Sequence, residues 1–124
     1  MIDNYSLYGV HGADVYTVSS LVNEALNIPM EIVESGGWGD YFGWNGDSEE
    51  KMFVYTNLNP GDEEGTYYNE KKYEDFPILI ALYDPPNMSM YDQAFVSNPD
   101  INATLLKRRI DDYQDPNHTE WELR

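Results

Sequence analysis

The chain has 124 residues, enough for one domain that buries roughly two thirds of the surface its unfolded form exposes, and its 41% hydrophobic content supports a core and excludes wholesale disorder. Twenty-three Asp and Glu stand against seven Lys and Arg, a formal net charge of -16 that disfavours nucleic acid and anionic membranes as partners and favours a basic one. With no cysteine there is no disulfide framework, thiolate metal site or thiol nucleophile.

In chain order, "YSLYGV" reads as a short strand, with His11 and Gly12 in the turn behind it. "ADVYTVSSLVNEALNI" then sets Val15, Val18, Leu21, Val22, Ala25 and Leu26 at three-and-four spacing, which predicts an amphipathic helix over 15–27 with Asp14 as its N-cap and Pro29 as its stop. From there the period changes to two. "MEIVES", "DYFGW" and "KMFVYTN" predict an antiparallel meander over 30–35, 40–45 and 51–57, with Met30 and Ile32, Phe42 and Trp44, and Phe53 and Tyr55 as same-face pairs. The polar "NPGDEEGTYYNEKKYED" is a loop holding the densest acids, Asp62, Glu63 and Glu64. "FPILIALY", bounded by Asp75 and by Asp84-Pro85-Pro86, has the continuity of a central strand over 76–83 buried on both faces. "MYDQAFV" reads as a strand returning beside it, and "NPDINATLLKRRIDDY" as a second helix over 101–112, capped by Asp100 and carrying Lys107-Arg108-Arg109 toward its C-terminal end. Residues 114–124 are expected to be loosely ordered unless Trp121 docks. The expected fold is a single α+β domain over 1–124, an antiparallel sheet of four to five strands packed by two helices.

The stretch "ESGGWGDYFGW", residues 34–44, concentrates glycines and aromatics between acids. It is neither a dinucleotide loop, since the third glycine arrives one position late and a strand follows, nor a P-loop, since no Gly-Lys-Ser or Gly-Lys-Thr occurs. A hairpin bend explains the glycines, and it leaves Trp38 and Tyr41 as rigid aromatic anchors within an acidic rim, the usual make-up of a protein-binding hot spot. No cation precedes Lys51, while Glu34, Asp40 and Asp47 surround the bend.

Material for catalysis is thin. His11 and His118 lie in turn-like or terminal stretches without a matched acid or nucleophile, and neither G-x-S-x-G nor H-E-x-x-H occurs. Asp40, Asn45, Asp47, Glu49 and Glu50 lack the spacing of an EF-hand loop. No enzyme activity, metal or cofactor is therefore expected. The opening "MIDNYSLYGV" has neither a basic leader nor a long apolar run, and nowhere do about 18 apolar residues follow one another, so a cytoplasmic location is expected.

"SSLVNEALNIPMEIVESGGWGDYFGW" resembles a recurring segment of the small immunity proteins that protect bacteria from polymorphic toxins and those of contact-dependent growth inhibition. Glu24-Ala25-Leu26-Asn27, Glu31, Glu34, Gly36, Gly37, Asp40, Tyr41 and Phe42 carry the likeness, which spans residues 14–57, with Asn27 standing where glycine is commoner. The resemblance implies a small cytoplasmic α+β protein that binds one cognate toxin domain and occludes it. Combined with the charge, it nominates Glu34, Trp38, Asp40, Tyr41, Asp47, Asp62, Glu63, Glu64, Tyr67 and Tyr68 as partner-binding residues, with a basic toxin of the nuclease type as the partner. A phage- or plasmid-encoded acidic mimic of DNA, blocking a DNA-binding defence enzyme, is the alternative reading of the same charge.

Overall fold

Asp14 opens α1 (Val15–Leu26) as its position suggests: the carboxylate accepts the Thr17 amide at 2.7 Å, which holds the Asp14 pKa below the ordinary carboxylate value. Val15, Val18, Ser19 and Val22 form the buried stripe. The helix ends at Asn27, in the left-handed region at φ 54 and ψ 49, where asparagine is among the few residues other than glycine that fit readily. The structure, a computed structural model, describes residues 2–11, 14–35, 39–46, 50–58, 69–85, 87–112 and 118–123.

Among the described residues seven strands make one antiparallel sheet: β1 (Ile2–Val10), β2 (Glu31–Ser35), β3 (Gly39–Asn45), β4 (Lys51–Thr56), β5 (Ile78–Tyr83), β6 (Thr104–Asp112) and β7 (His118–Glu122). Their order is β2-β3-β4-β5-β1-β6-β7. The class is α+β with two helices, as expected, and the sheet is wider than the four to five strands expected. β2, β3 and β4 form the meander read from the period of two. β5 runs through the middle with Ile78 to Leu82 buried, because the strands on either side and both faces cover it.

Two segments differ from the sequence reading. The second helix lies at α2 (Met88–Phe95), where a strand was expected, and residues 104–112, expected to be helical, form β6. Tyr91 and Phe95 sit four apart on one buried face, and the Asn87 side chain accepts the Met90 amide at 3.2 Å, so α2 has both a stripe and a cap. In β6 an irregularity opposite Leu7 and Tyr8 leaves Leu106 between paired residues, which interrupts the period of two and leaves a spacing that imitates a helix. Residues His118–Glu122, within the tail expected to be loose, pair with β6 and set Trp121 opposite Arg108. Met30, expected on β2 with Ile32, instead lies before the strand and is buried, its amide bonded to the Asn23 side chain, whereas Ile32 is 46% exposed.

Antiparallel partners share a face, so the register sorts the side chains. On the helix side, Tyr8, Val10, Met52, Val54, Ile78, Ile80 and Leu82 meet Val15, Val18 and Val22 of α1 and Tyr91 and Phe95 of α2. On the other side a thinner core of Leu7, Leu79, Ala81 and Leu106 is capped by Tyr73, from a 3-10 turn at Lys71–Tyr73. Buried Asn57 fixes that turn: its side chain donates to the Glu70 and Tyr73 carbonyls at 3.2 and 2.8 Å and accepts the Glu70 amide at 2.8 Å.

A polar network ties α2 to the sheet. Asp92 accepts from Arg108 Nη2 at 2.6 Å and Nη1 at 3.1 Å and from the Tyr8 hydroxyl at 2.6 Å, while Arg108 Nε donates to Ser6 Oγ at 3.1 Å. Burial pushes the Asp92 carboxyl up, and the hydrogen bonds from Arg108 and Tyr8 outweigh it, leaving the carboxyl below its ordinary value. Tyr8, with no exposed surface, is pushed well above an ordinary phenol by burial first and by the Asp92 carboxylate second.

Candidate partner-binding surface

The strands on either side of the glycine-rich stretch pair with each other at the edge of the sheet. β2 pairs with β3 from Glu31 opposite Gly43 to Ser35 opposite Gly39, and Glu34 stands opposite Asp40. Tyr41 belongs to β3 and is half-buried, its ring 6.2 Å from that of Phe53. Trp38, Asp47, Asp62, Glu63, Glu64, Tyr67 and Tyr68 lie outside the described residues.

This edge also exposes a pair of apolar residues absent from the sequence-based candidates. Ile32 stands opposite Phe42, and the Phe42 ring meets Tyr16 of α1 edge-on at 5.7 Å. Since α1 packs over β3 and β4, β2 extends beyond the helix. Ile32 and Tyr16 are consequently 46% and 50% exposed, while Phe42 is partly buried beneath them. Tyr16 falls off the stripe of α1, a signal visible in the helical period. For Ile32 no local signal exists, because its exposure follows from β2 being terminal in the sheet. Glu31, exposed on the opposite face of the same strand, borders the patch with charge.

Apart from exposed Lys51, opposite Asn45 at the end of β3, the described cations collect elsewhere. Lys71, Lys72, Lys107, Arg108 and Arg109 all belong to the 3-10 turn or to β6, across the sheet from β2. Lys71 bridges Glu74 at 2.8 Å, Lys72 bridges Glu122 at 3.2 Å, Lys107 bridges Glu70 at 3.0 Å, and Arg108 is held by Asp92. The positive end of the molecule is thereby largely neutralised, whereas the α1–β2–β3 lobe has no basic residue at all among positions 14–45. Its field is negative and attracts cationic groups.

Three other places were possible sites. A row of rings, Tyr41, Phe53, Tyr83 and Tyr5, crosses the face away from the helices, with centroids 5.0 to 6.2 Å apart and Arg109 over Tyr5 at 5.9 Å. The rings are tilted or edge-on and satisfy one another. Tyr5 is pushed far above an ordinary phenol by burial first and then by Tyr55 and Tyr83, so the row acts as a second core more than as a platform. A cleft of about 290 Å³ beside it is lined by Glu70, Lys107 and Glu122, charges already paired with one another. The Tyr73 hydroxyl donates to Glu122 at 3.1 Å, and burial, helped by that carboxylate, pushes its pKa up to about 12. A second cleft of about 310 Å³, between α1 and the turn at 100–102, contains His11, Thr17 and Asp100 among apolar walls.

Of the acids considered for a cation, Glu50 is buried and hydrogen-bonded by the Tyr91 hydroxyl, a contact that joins the residue before β4 to α2. Among the described residues no group of three or more His, Asp or Glu gathers as a metal site, and no helix is long and apolar enough to cross a membrane. No family model, curated protein or solved structure matches the chain. The functional reading therefore rests on the surface itself.

Proposed function

We propose that the protein is an immunity protein: it binds and neutralises one cognate protein toxin, acts in the cytoplasm, and carries no cofactor and no chemistry of its own. The observation that carries this reading is the β2–β3 edge, where exposed Ile32 and Tyr16 over Phe42 form an apolar centre within a lobe free of cations. Protein-binding surfaces have this composition, with aromatic and aliphatic anchors that lose their water at the centre and charges around them that govern encounter. A toxin that handles a polyanion must carry a basic cleft, and a nuclease does. An acidic surface seated in that cleft blocks it by occupancy. The likeness of residues 14–57 to immunity proteins supports the same reading.

The test is protection. The toxin domain encoded by the gene adjacent to this one is expressed in a sensitive bacterium with and without this protein, and the purified pair is examined for a stable complex. Growth restored together with a stoichiometric complex is expected, and both are lost in the Ile32→Lys, Tyr16→Ala double variant. A toxin that still kills, with no complex at micromolar concentrations, overturns the proposal.

A further inference from the structure

We infer that β2 is a receiving edge: an extended segment of the protein partner, carrying a basic residue next to an apolar one, adds to the sheet alongside it as a further strand. The inference rests on the partner-binding reading above and names the mode of contact.

Among the described residues β2 is hydrogen-bonded only to β3, so every second residue of Glu31–Ser35 turns its N–H and C=O away from the sheet. Proteins ordinarily blunt such an edge with lysine, proline or a bulge, or cover it. Here the five residues contain no lysine and no proline, the register with β3 is regular from end to end, and α1 lies over β3 and β4. The side chains of the edge also select what can join it. Ile32, on the helix side, continues the apolar row that runs from Tyr16 through Phe42, so an added strand gains contact by placing an apolar residue opposite it. Glu31, exposed on the other face, favours a Lys or Arg opposite it. Adjacent positions on a strand face opposite sides, so the complement of Glu31-Ile32 is a basic residue followed by an apolar one, the pair that the probe below supplies.

Two other occupants are disfavoured by charge. A second copy of this chain would bring two strands of sequence "EIVES" together, each with two glutamates and each on a molecule of net charge -16. At the opposite edge, β7, Glu122 is already bridged by Lys72 and Lys107, and Arg108 by Asp92, so that edge offers a basic strand less unpaired negative charge. Among the described residues, only β2 combines an open edge and an exposed apolar residue with distance from the cations of β6 and the 3-10 turn.

The test uses the full-length protein and a defined probe, the acetylated and amidated peptide Lys-Val-Lys-Val-Lys-Val. Its companion has the same sequence with alternate amides N-methylated, which blocks one hydrogen-bonding edge while keeping the charge. Calorimetry and amide exchange are followed at low and moderate salt. Strand addition predicts that the unmodified peptide binds, that alternate β2 amides exchange more slowly, and that N-methylation or Ile32→Lys weakens binding by about tenfold or more. Unchanged exchange at β5 shows that the variant is folded. Equal binding of the two peptides, protection at β7 in place of β2, or no binding at low salt overturns the inference. None of those results depends on the toxin, so they leave the immunity reading standing. Failure of protection in cells alongside an intact peptide response strikes the toxin reading and leaves the edge site.

Discussion

Replacing Asp92 by Ala removes one half of the charge pair that holds α2 to the sheet and leaves Arg108 behind. The lost carboxylate accepts bonds from two guanidinium nitrogens at 2.6 and 3.1 Å and from the Tyr8 hydroxyl at 2.6 Å. Hydrogen bonds to charged groups contribute about 1.5–3 kcal/mol each, and stranding one member of a fully buried pair costs about 3–5 kcal/mol. The side chains of Arg108 and Asp92 are 19% and 34% exposed, so water compensates part of this. About 2–3 kcal/mol is expected for Asp92→Ala and a similar loss for Arg108→Met, read from urea unfolding near neutral pH. The double variant should be more stable than the sum of the two losses by at least about 1 kcal/mol, because the second change removes the stranded charge. The sign of the pH dependence follows from the depressed Asp92 pKa: its stabilisation is complete above the ordinary carboxylate value and disappears as the pH falls through the folded value. The gap between wild type and Asp92→Asn should therefore narrow below about pH 4. A coupling under about 0.5 kcal/mol, or a gap independent of pH, refutes the assignment of this network as the tether of α2.

Leu79 is fully buried and Leu26 only partly, so Leu79→Ala should cost about 2–5 kcal/mol and Leu26→Ala less, and equal thermal stabilities would show the core misassigned. A Cβ on Gly9 would lie 2.5 Å from the Phe76 ring and 3.0 Å from Leu106. Gly9→Ala should therefore cost about 1–3 kcal/mol, and Phe76→Ala in the same chain should recover part of the loss; additivity would refute the clash. Screens for hydrolase, transferase and redox turnover should find none, and a rate abolished by His11→Ala would overturn the expectation of a binding protein without chemistry.

The elements legible in the sequence are those whose causes are local. Asp14 and the spacing of Val15, Val18 and Val22 define α1 within one turn of themselves. β2, β3 and β4 follow from alternation across short connections, and β5 from an apolar run that only a doubly covered strand tolerates. β6 depends on distant residues: β1, nearly a hundred positions earlier in the chain, supplies its partner, and the irregularity at Leu106 breaks the alternation that would have revealed it. With β6 mistaken for a helix, "MYDQAFV" took the strand, although Asn87 and the Tyr91–Phe95 spacing are helix signals. The candidate surface divides the same way. Glu34, Asp40 and Tyr41 were visible from composition around the bend. Ile32 was not, since what exposes it is the position of β2 at the end of the sheet, a property of strand order.

The central claim is that a basic protein is captured at the β2–β3 edge, and stopped-flow association with the toxin domain of the adjacent gene across ionic strength tests it most directly. Wild type should associate fast at low salt and slow steeply as salt rises. Trp38→Ala, between β2 and β3, and Ile32→Lys should each lose about 2 kcal/mol or more of binding with the fold intact, the alanine variant mainly through faster dissociation. Association indifferent to salt, with both variants binding as wild type does, would contradict the claim.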